Sequence, residues 1–322
     1  MRRYPRQTNQ GTQSLMRIAA VDLVSNTCFP ALAADVLGLF RVEGVEARIE
    51  LVAALGATHA LGKGAADAII AGSVHDVLTA FPEWKGVKVC VALSRGTPWL
   101  LTVRTDLKAE RGDLGALRGL KLTAAAGPDL VFKTLLRQGG LDPERDVEII
   151  ALPGAHERNV SFGVFAAEAL AAGKIDGFWA NAMGAETAVS RGVGKVHVDV
   201  RRGDDPGDVR FCTFAGLVVR EDFIAKEPAA VDATVRAIVK AQAALRADPS
   251  KARTVGADKF PPDAEALIAN VIARDVPFYD PVITEEMIER LNAFAVSAGQ
   301  LAGPLPYEQV VAARCRTLWQ VG

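Results

Sequence analysis

Two side chains near the start of this sequence could do covalent chemistry. Cys28 lies in the run Ser25-Asn26-Thr27-Cys28-Phe29-Pro30, and His59 stands in a later loop. A thiol beside an imidazole is the arrangement of an activated nucleophile, because the thiolate is the reactive form and a nearby base generates it. Without activation, the same pair only lines a pocket. Other residues suit binding rather than reaction. Asn26 and Thr27 offer polar groups in a turn. Gly72-Ser73 and Gly127-Pro128-Asp129 stand where helices begin, so their backbone N–H groups could meet an anionic or polar ligand. Asp129 has a second reading as a helix cap, in which case it opposes an anion. Trp99 and Trp179 could wall a small ligand or fill the core. Arg95 could pair with a carboxylate or sulfonate, or be solvated. Asn181 stands in a turn directly after an apolar strand.

These residues depend on the elements that place them. The chain has 322 residues, a length that suits two domains. Half of the residues are hydrophobic and 23% are charged, a globular balance. The net charge of −1 gives no steering towards nucleic acid, and Arg201-Arg202 is followed at once by Asp204-Asp205. The four cysteines, Cys28, Cys90, Cys212 and Cys315, form no C-x-x-C motif, and no histidine pair has metal-ligand spacing, so neither metal nor cofactor is expected. Cys90 and Cys212 begin or sit in apolar runs and read as core residues. No apolar run is long enough to span a membrane. The first ten residues are polar, and no apolar segment of a secretory signal follows Arg2-Arg3.

Strand and helix signals alternate, which predicts α/β architecture. Strands are expected at 16–23, 45–53, 67–71, 87–94 and 99–104. A second unit has strands near 120, at 147–153, 175–180, 195–200 and 214–220. Helices are expected at 31–40, 57–66, 74–82, 162–172 and 184–192, and 127–141 reads as a loop, a helix and a glycine stop. In the helix after Gly127, Phe132, Leu135 and Leu136 share one face. Beyond residue 221 the pattern is helical. Val231, Val235, Ile238 and Leu245 share one face, and further helices are expected at 262–274, 284–298 and 307–319. LGKGAADAIIAG (61–72) and LAAGKIDGFWA (170–180) have the same grammar: a helix end, glycine, aspartate, then a short apolar strand. Two such units imply two similar lobes.

Four stretches taken together resemble a known family. They are Leu61…Gly64…Asp67, the segment 114–150, EALAAGKIDGFWA (168–180), and the segment 218–252. In this order they are similar to the substrate-binding proteins of nitrate, sulfonate and taurine importers, a group that includes relatives of the thiamine-pyrimidine precursor synthases. The resemblance implies a two-lobed type II periplasmic-binding-protein fold. It has two mixed sheets flanked by helices, and the helical C-terminal region packs on lobe one. Residues 1–15 would be an unstructured segment, 16–98 and 219–322 lobe one, and 99–218 lobe two. The crossings fall near 94–99 and 212–218. Ligands would sit at the C-terminal ends of the strands. The turns expected there are 24–29, 55–59, 72–75, 94–98, 126–130, 153–159 and 180–183.

The implied function is capture of a small anionic or heteroaromatic solute for an ABC importer, by a monomer that meets a permease if exported. A periplasmic site follows from the resemblance, and a cytoplasmic one if the chain is complete. The alternative is an enzyme on the same fold. A desulfinase of this fold is similar around Cys28 and His59, with a cysteine after the first strand and a histidine in the next loop. The spacing departs from it here, and Ile69 and Ile70 occupy the region where that enzyme has an arginine. Of the remaining histidines, His156 could meet the ligand or sit on the surface, His75 is expected near a helix start, and His197 on a sheet face.

Overall fold

The computed structural model describes residues 15–53 and 56–320. The expectation of an unstructured segment at 1–15 therefore falls outside the described residues, apart from Leu15, which begins a strand. Ten strands form two five-stranded sheets. The first sheet is built from β1 (Leu15–Ala20), β2 (Glu46–Leu51), β3 (Ala68–Ala71), β4 (Val87–Ser94) and β10 (Ala215–Arg220), in the order β2-β1-β3-β10-β4. The second holds β5 (Trp99–Arg104), β6 (Lys121–Ala124), β7 (Glu148–Ile149), β8 (Gly177–Asn181) and β9 (Gly194–Asp199), in the order β7-β6-β8-β5-β9. Both sheets are mixed. β10 runs antiparallel to β3 and β4, and β5 runs antiparallel to β8 and β9. Each is the strand the chain lays down just after crossing between lobes.

The repeated grammar has a structural cause. Asp67 ends the turn before β3, and its carboxylate accepts the backbone N–H of Arg17 on neighbouring β1 at 3.0 Å. Asp176 precedes β8 and accepts the backbone N–H of Lys121, at the start of neighbouring β6, at 2.8 Å. In both lobes an aspartate satisfies a backbone donor of the adjacent parallel strand just before the residues that pair, which would otherwise be left open.

Helices cover both sheets. Pro228–Ala247 buries Val231, Val235, Ile238 and Leu245 against the first sheet, as its periodicity predicts. Gln242 on this helix donates to the carbonyls of Ala92 and Leu93. Several boundaries differ from expectation. The helix expected at 31–40 breaks at Gly38 into Phe29–Val36 and Leu39–Val42. Lys251–Lys259 is helical although its residues show weak periodicity. The segment 74–82 is a 3₁₀ turn, Val74–Thr79, and the strand expected at 147–153 shrinks to Glu148–Ile149 on a sheet edge. The final helix expected at 307–319 does not form as one piece. After Tyr307–Val310 the chain extends, Val311 bridges Val89, and Ala312 N–H bonds the Val89 carbonyl. The open edge of β4 captures the chain, which then closes in a 3₁₀ turn with Cys315 buried.

The helices Phe162–Ala171 and Ala182–Ser190 cross at a glycine pair. A Cβ built on Gly184 would stand 2.6 Å from the Gly163 Cα. Gly184→Ala is therefore expected to force the helices apart and destabilise the protein by about 1–3 kcal/mol, read by urea denaturation. The same displacement would move Phe162 and Asn181, which face the cavity described next.

Candidate functional site

A cavity of about 630 Å³ lies between the lobes, walled by residues from both. From the first lobe come the turn after β1, the helix beginning at Gly56, β3 and the turn after it. The second lobe supplies the turns after β6 and β8 and the segment around His156. Ile69, Ile70, Trp99, Leu130 and Phe162 make the apolar surface. The polar surface holds Asp22, Thr27, Cys28, His59, Asp76, Asp129, His156, Asn181 and Gln300. Among the described lining residues there is neither lysine nor arginine, while three carboxylates face inward.

Asp22 ends the first strand region and reaches across to the second lobe. Its Oδ2 accepts from Ser161 Oγ at 2.9 Å and Asn181 Nδ2 at 3.2 Å, and its Oδ1 accepts from the Val24 N–H at 2.8 Å. Surrounding protein pushes its pKa up to about 7, against the pull of those three donors. Asp76 sits opposite Gly127 of the other lobe, and burial together with the Asp129 charge holds its carboxyl well above the usual range. Gly127 has φ +92°, and a Cβ there would meet the Asp76 carboxylate at 2.5 Å. Glycine is thus required twice, by the backbone and by its neighbour.

Nine of the sequence-predicted residues lie on this cavity: Thr27, Cys28, His59, Gly72, Trp99, Gly127, Pro128, Asp129 and Asn181. Four do not. Asn26 is buried behind the wall. Its Oδ1 accepts the Ala182 N–H at 3.1 Å, and its Nδ2 donates to Asp275. Ser73 is also buried and accepts the Trp99 indole N–H at 2.9 Å, so it holds the ring rather than a ligand. Trp179 is a core residue stacked on Phe132, with centroids 5.7 Å apart. Arg95 pairs with Asp280 at 3.0 Å and opens onto a different cavity.

The chemistry of the helix start also differs from an anion site. The Gly127 N–H is taken by Asp129 Oδ1 at 3.0 Å, Pro128 has none, and the Asp129 N–H bonds the Ala125 carbonyl. No donor is left there for an anion. Cys28 donates to the Asp22 carbonyl at 3.0 Å, and burial, then the Asp22 charge, pushes its thiol up to about 12. A thiol held there is un-ionised at neutral pH and is a poor nucleophile.

Sequence reasoning missed Asp22, Asp76 and Gln300. Asp22 only interrupts an apolar run, and Gln300 arrives from the far end of the chain. His156 lines the cavity and stacks on Phe162 at 6.1 Å. His75 stands in the first turn of the 3₁₀ segment and is fully buried. It touches the Gly127 carbonyl at 3.3 Å, and burial brings its pKa down to about 4. His197 is buried on β9 against the Asp113 carbonyl. Among the described residues no cluster could hold a metal ion, and no helix is long and apolar enough to cross a membrane.

Comparisons with known proteins agree with this architecture. Residues 115–257 match the NMT1-like family. No curated protein matches the chain. Among solved structures, the ligand-binding component of an ABC-type import system from Staphylococcus aureus, with zinc bound, has a TM-score of 0.73 at 12% identity, covering 96% of this chain and 99% of that one. The alkanesulfonate-binding protein SsuA from Xanthomonas axonopodis pv. citri, bound to MOPS, gives 0.67 at 14%, covering 95% and 99%. The desulfurization enzyme DSZB gives 0.64 at 16%, covering 94% and 98%. Over residues 115–257 the chain is similar to the NMT1-like family, and over nearly its whole length it shares the two-lobed fold of the substrate-binding components of ABC import systems.

Proposed function

We propose that the protein captures a small heteroaromatic or amine solute, neutral or cationic and rich in hydrogen-bond donors, and delivers it to an ABC permease. One observation carries the reading: the interlobe cavity offers Asp22, Asp76 and Asp129 and no lysine or arginine among its described residues. At pH 8, above the pKa of about 7 of Asp22, an anion placed there would meet like charge in a weakly solvated space, which costs several kcal/mol per uncompensated ion. A flat ring bearing amino or amidine groups would lie against Trp99, Ile69 and Phe162 and donate to the carboxylates. Nitrate and sulfonates, although bound by proteins of this fold, do not suit this lining. The enzymatic alternative is disfavoured because the Cys28 thiol is held un-ionised.

The test is a thermal-shift series at pH 8. An aminopyrimidine or an aromatic amidine at a hundred times its dissociation constant should add about 2.7 kcal/mol of stability. For a chain this long, that raises Tm by roughly 5 °C. Ethanesulfonate and nitrate should leave Tm unchanged. Stabilisation by the sulfonate with none by the cations would overturn the reading.

A further inference from the structure

We propose that a second cavity, set between the two interlobe crossings, binds a small carboxylate with a flat apolar body. This cavity measures about 350 Å³ and shares no lining residue with the larger one. Arg95 and Gly96 come from the first crossing. Arg201 comes from the 3₁₀ turn after β9, and Arg210 and Thr213 come from the return crossing. Phe278 and the first turns of the helix Glu285–Ser297 complete the wall. The chemistry is the reverse of the interlobe cavity. Four arginines line it against one carboxylate, Glu286, whose side chain is 70% exposed.

Two independent observations point to an acceptor-bearing ligand. The first is a set of buried donors without partners. Thr213 is 1% exposed and its hydroxyl has no hydrogen-bond partner among the described residues. The Arg201 side chain is 2% exposed and its Nε–H is unpaired, as is the buried Nε–H of Arg95. Guanidinium N–H groups can only donate, and a buried donor left unmet is destabilising. The second is how the guanidiniums are held. Arg201 lies 4.2 Å from the Phe278 ring centre, and Arg210 lies 4.6 Å from that of Phe211, with Arg290 also over Phe211 at 5.5 Å. Stacking on a ring fixes the guanidinium plane without consuming the in-plane donors that grip a carboxylate in pairs. Arg201 gives one donor to Asp275 and another to the Ser94 hydroxyl at 3.4 Å, Arg95 pairs with Asp280 and Arg290 with Asp208, but Arg210 has no ion pair among the described residues.

The remaining wall sets the shape of the guest. Phe214, Phe278 and Met287 present apolar surface, which a bare inorganic anion would leave uncovered. A benzoate-sized acid puts its carboxylate among Thr213, Arg201 and Arg210 and its ring against the apolar side. The site joins both crossings, so occupancy would also bias the relative position of the lobes. The proposal does not depend on what the larger cavity binds.

The experiment is calorimetric titration of the full chain with benzoate and with its neutral analogue benzamide, alongside ¹⁵N spectra of the arginine Nε–H groups. Benzoate should bind one to one in the millimolar range or tighter, and benzamide about tenfold more weakly. The Arg95 and Arg201 Nε–H signals should shift on saturation. Thr213→Val keeps the side-chain shape and removes an unpaired buried hydroxyl, so it should fold at least as stably as the parent. Arg210→Gln breaks no ion pair. Each should weaken benzoate about tenfold. Benzoate binding untouched by both substitutions, titration that moves the Trp99 indole signal instead, or no saturable heat would each overturn the assignment.

Discussion

Asp22→Asn is expected to weaken binding of a cationic or amine-bearing ligand about a hundredfold, because it removes the central charge of the interlobe cavity. A buried charge-assisted hydrogen bond contributes roughly 1.5–3 kcal/mol, and the loss of mutual attraction adds to it. The asparagine keeps one acceptor oxygen for Ser161 or Asn181, so the lobes stay joined. The parent protein should also bind such a ligand more tightly as pH rises through about 7, where Asp22 ionises, and the variant should lose that slope. Stability runs the other way. Asp22 has a higher pKa in the fold than its ordinary 3.8, so the native state holds the proton more tightly than the unfolded chain. Its stabilising contribution is complete below about pH 4 and is lost as pH rises to about 7, by at most roughly 4 kcal/mol. The Asp22→Asn protein should therefore show a flatter stability curve between pH 4 and 7 and gain Tm at pH 8. Calorimetry at pH 6 and 8, with urea unfolding across that range, checks both slopes. Equal affinity at the two pH values in the parent would remove Asp22 from the binding account.

Asp275→Ala is expected to destabilise the protein by about 3–5 kcal/mol, the largest stability loss from a single substitution away from the apolar core. Asp275 joins three parts of the chain that are distant in sequence. Its Oδ1 takes the Arg201 guanidinium at 2.8 Å, its Oδ2 takes the Asn26 amide, and Asn26 in turn holds the Ala182 N–H of the second lobe. The Tyr279 hydroxyl donates to the Asn26 carbonyl at 2.9 Å. Both ions of the pair are nearly wholly buried, at 2% and 3% side-chain exposure. Removing the carboxylate leaves a guanidinium without charge compensation in a poorly solvating space, which is the costly half of breaking a buried pair. Arg201→Met combined with Asp275→Ala should recover much of the loss, because no uncompensated charge remains. Urea unfolding of the two single variants and the double variant closes the cycle. Additive losses in the double variant would show that the pair is not energetically coupled.

Much of the scaffold was legible because its signals are local. Alternating apolar residues marked the strands, and the glycine–aspartate grammar before β3 and β8 marked the same sheet-end role in both lobes. The final segment was misread because a helical pattern near residue 311 could not reveal that the edge of β4 stood open beside it. The two tryptophans show the limit at single-residue scale. Trp99 and Trp179 both lie on strands of the second sheet, and Leu101, not Trp99, is paired with Trp179. One ring faces the cavity with its N–H on Ser73, while the other stacks in the core on Phe132. By register the two rings share one face of the sheet, and only their place along the strands, Trp99 at the cavity end opposite Asn181 and Trp179 further in, separates wall from core, which alternation does not report.

From the residues alone follow the α/β class, the two-lobed plan and most turns that meet at the cavity, including Thr27, Cys28, Gly72 and Gly127. Periodicity and turn chemistry act over a few residues, and that is the range over which a chain advertises them. The charge character of the cavity was settled only by the tertiary structure. Packing of the two sheets turned Asp22 and Asp76 inward, buried Asn26 behind the wall, and left Arg95, on the crossing where the sequence placed it, outside the cavity. Those outcomes depend on contacts between segments far apart in the chain, where a side chain's neighbours, and therefore its pKa and partners, are fixed by three-dimensional packing and leave no periodic trace in the sequence.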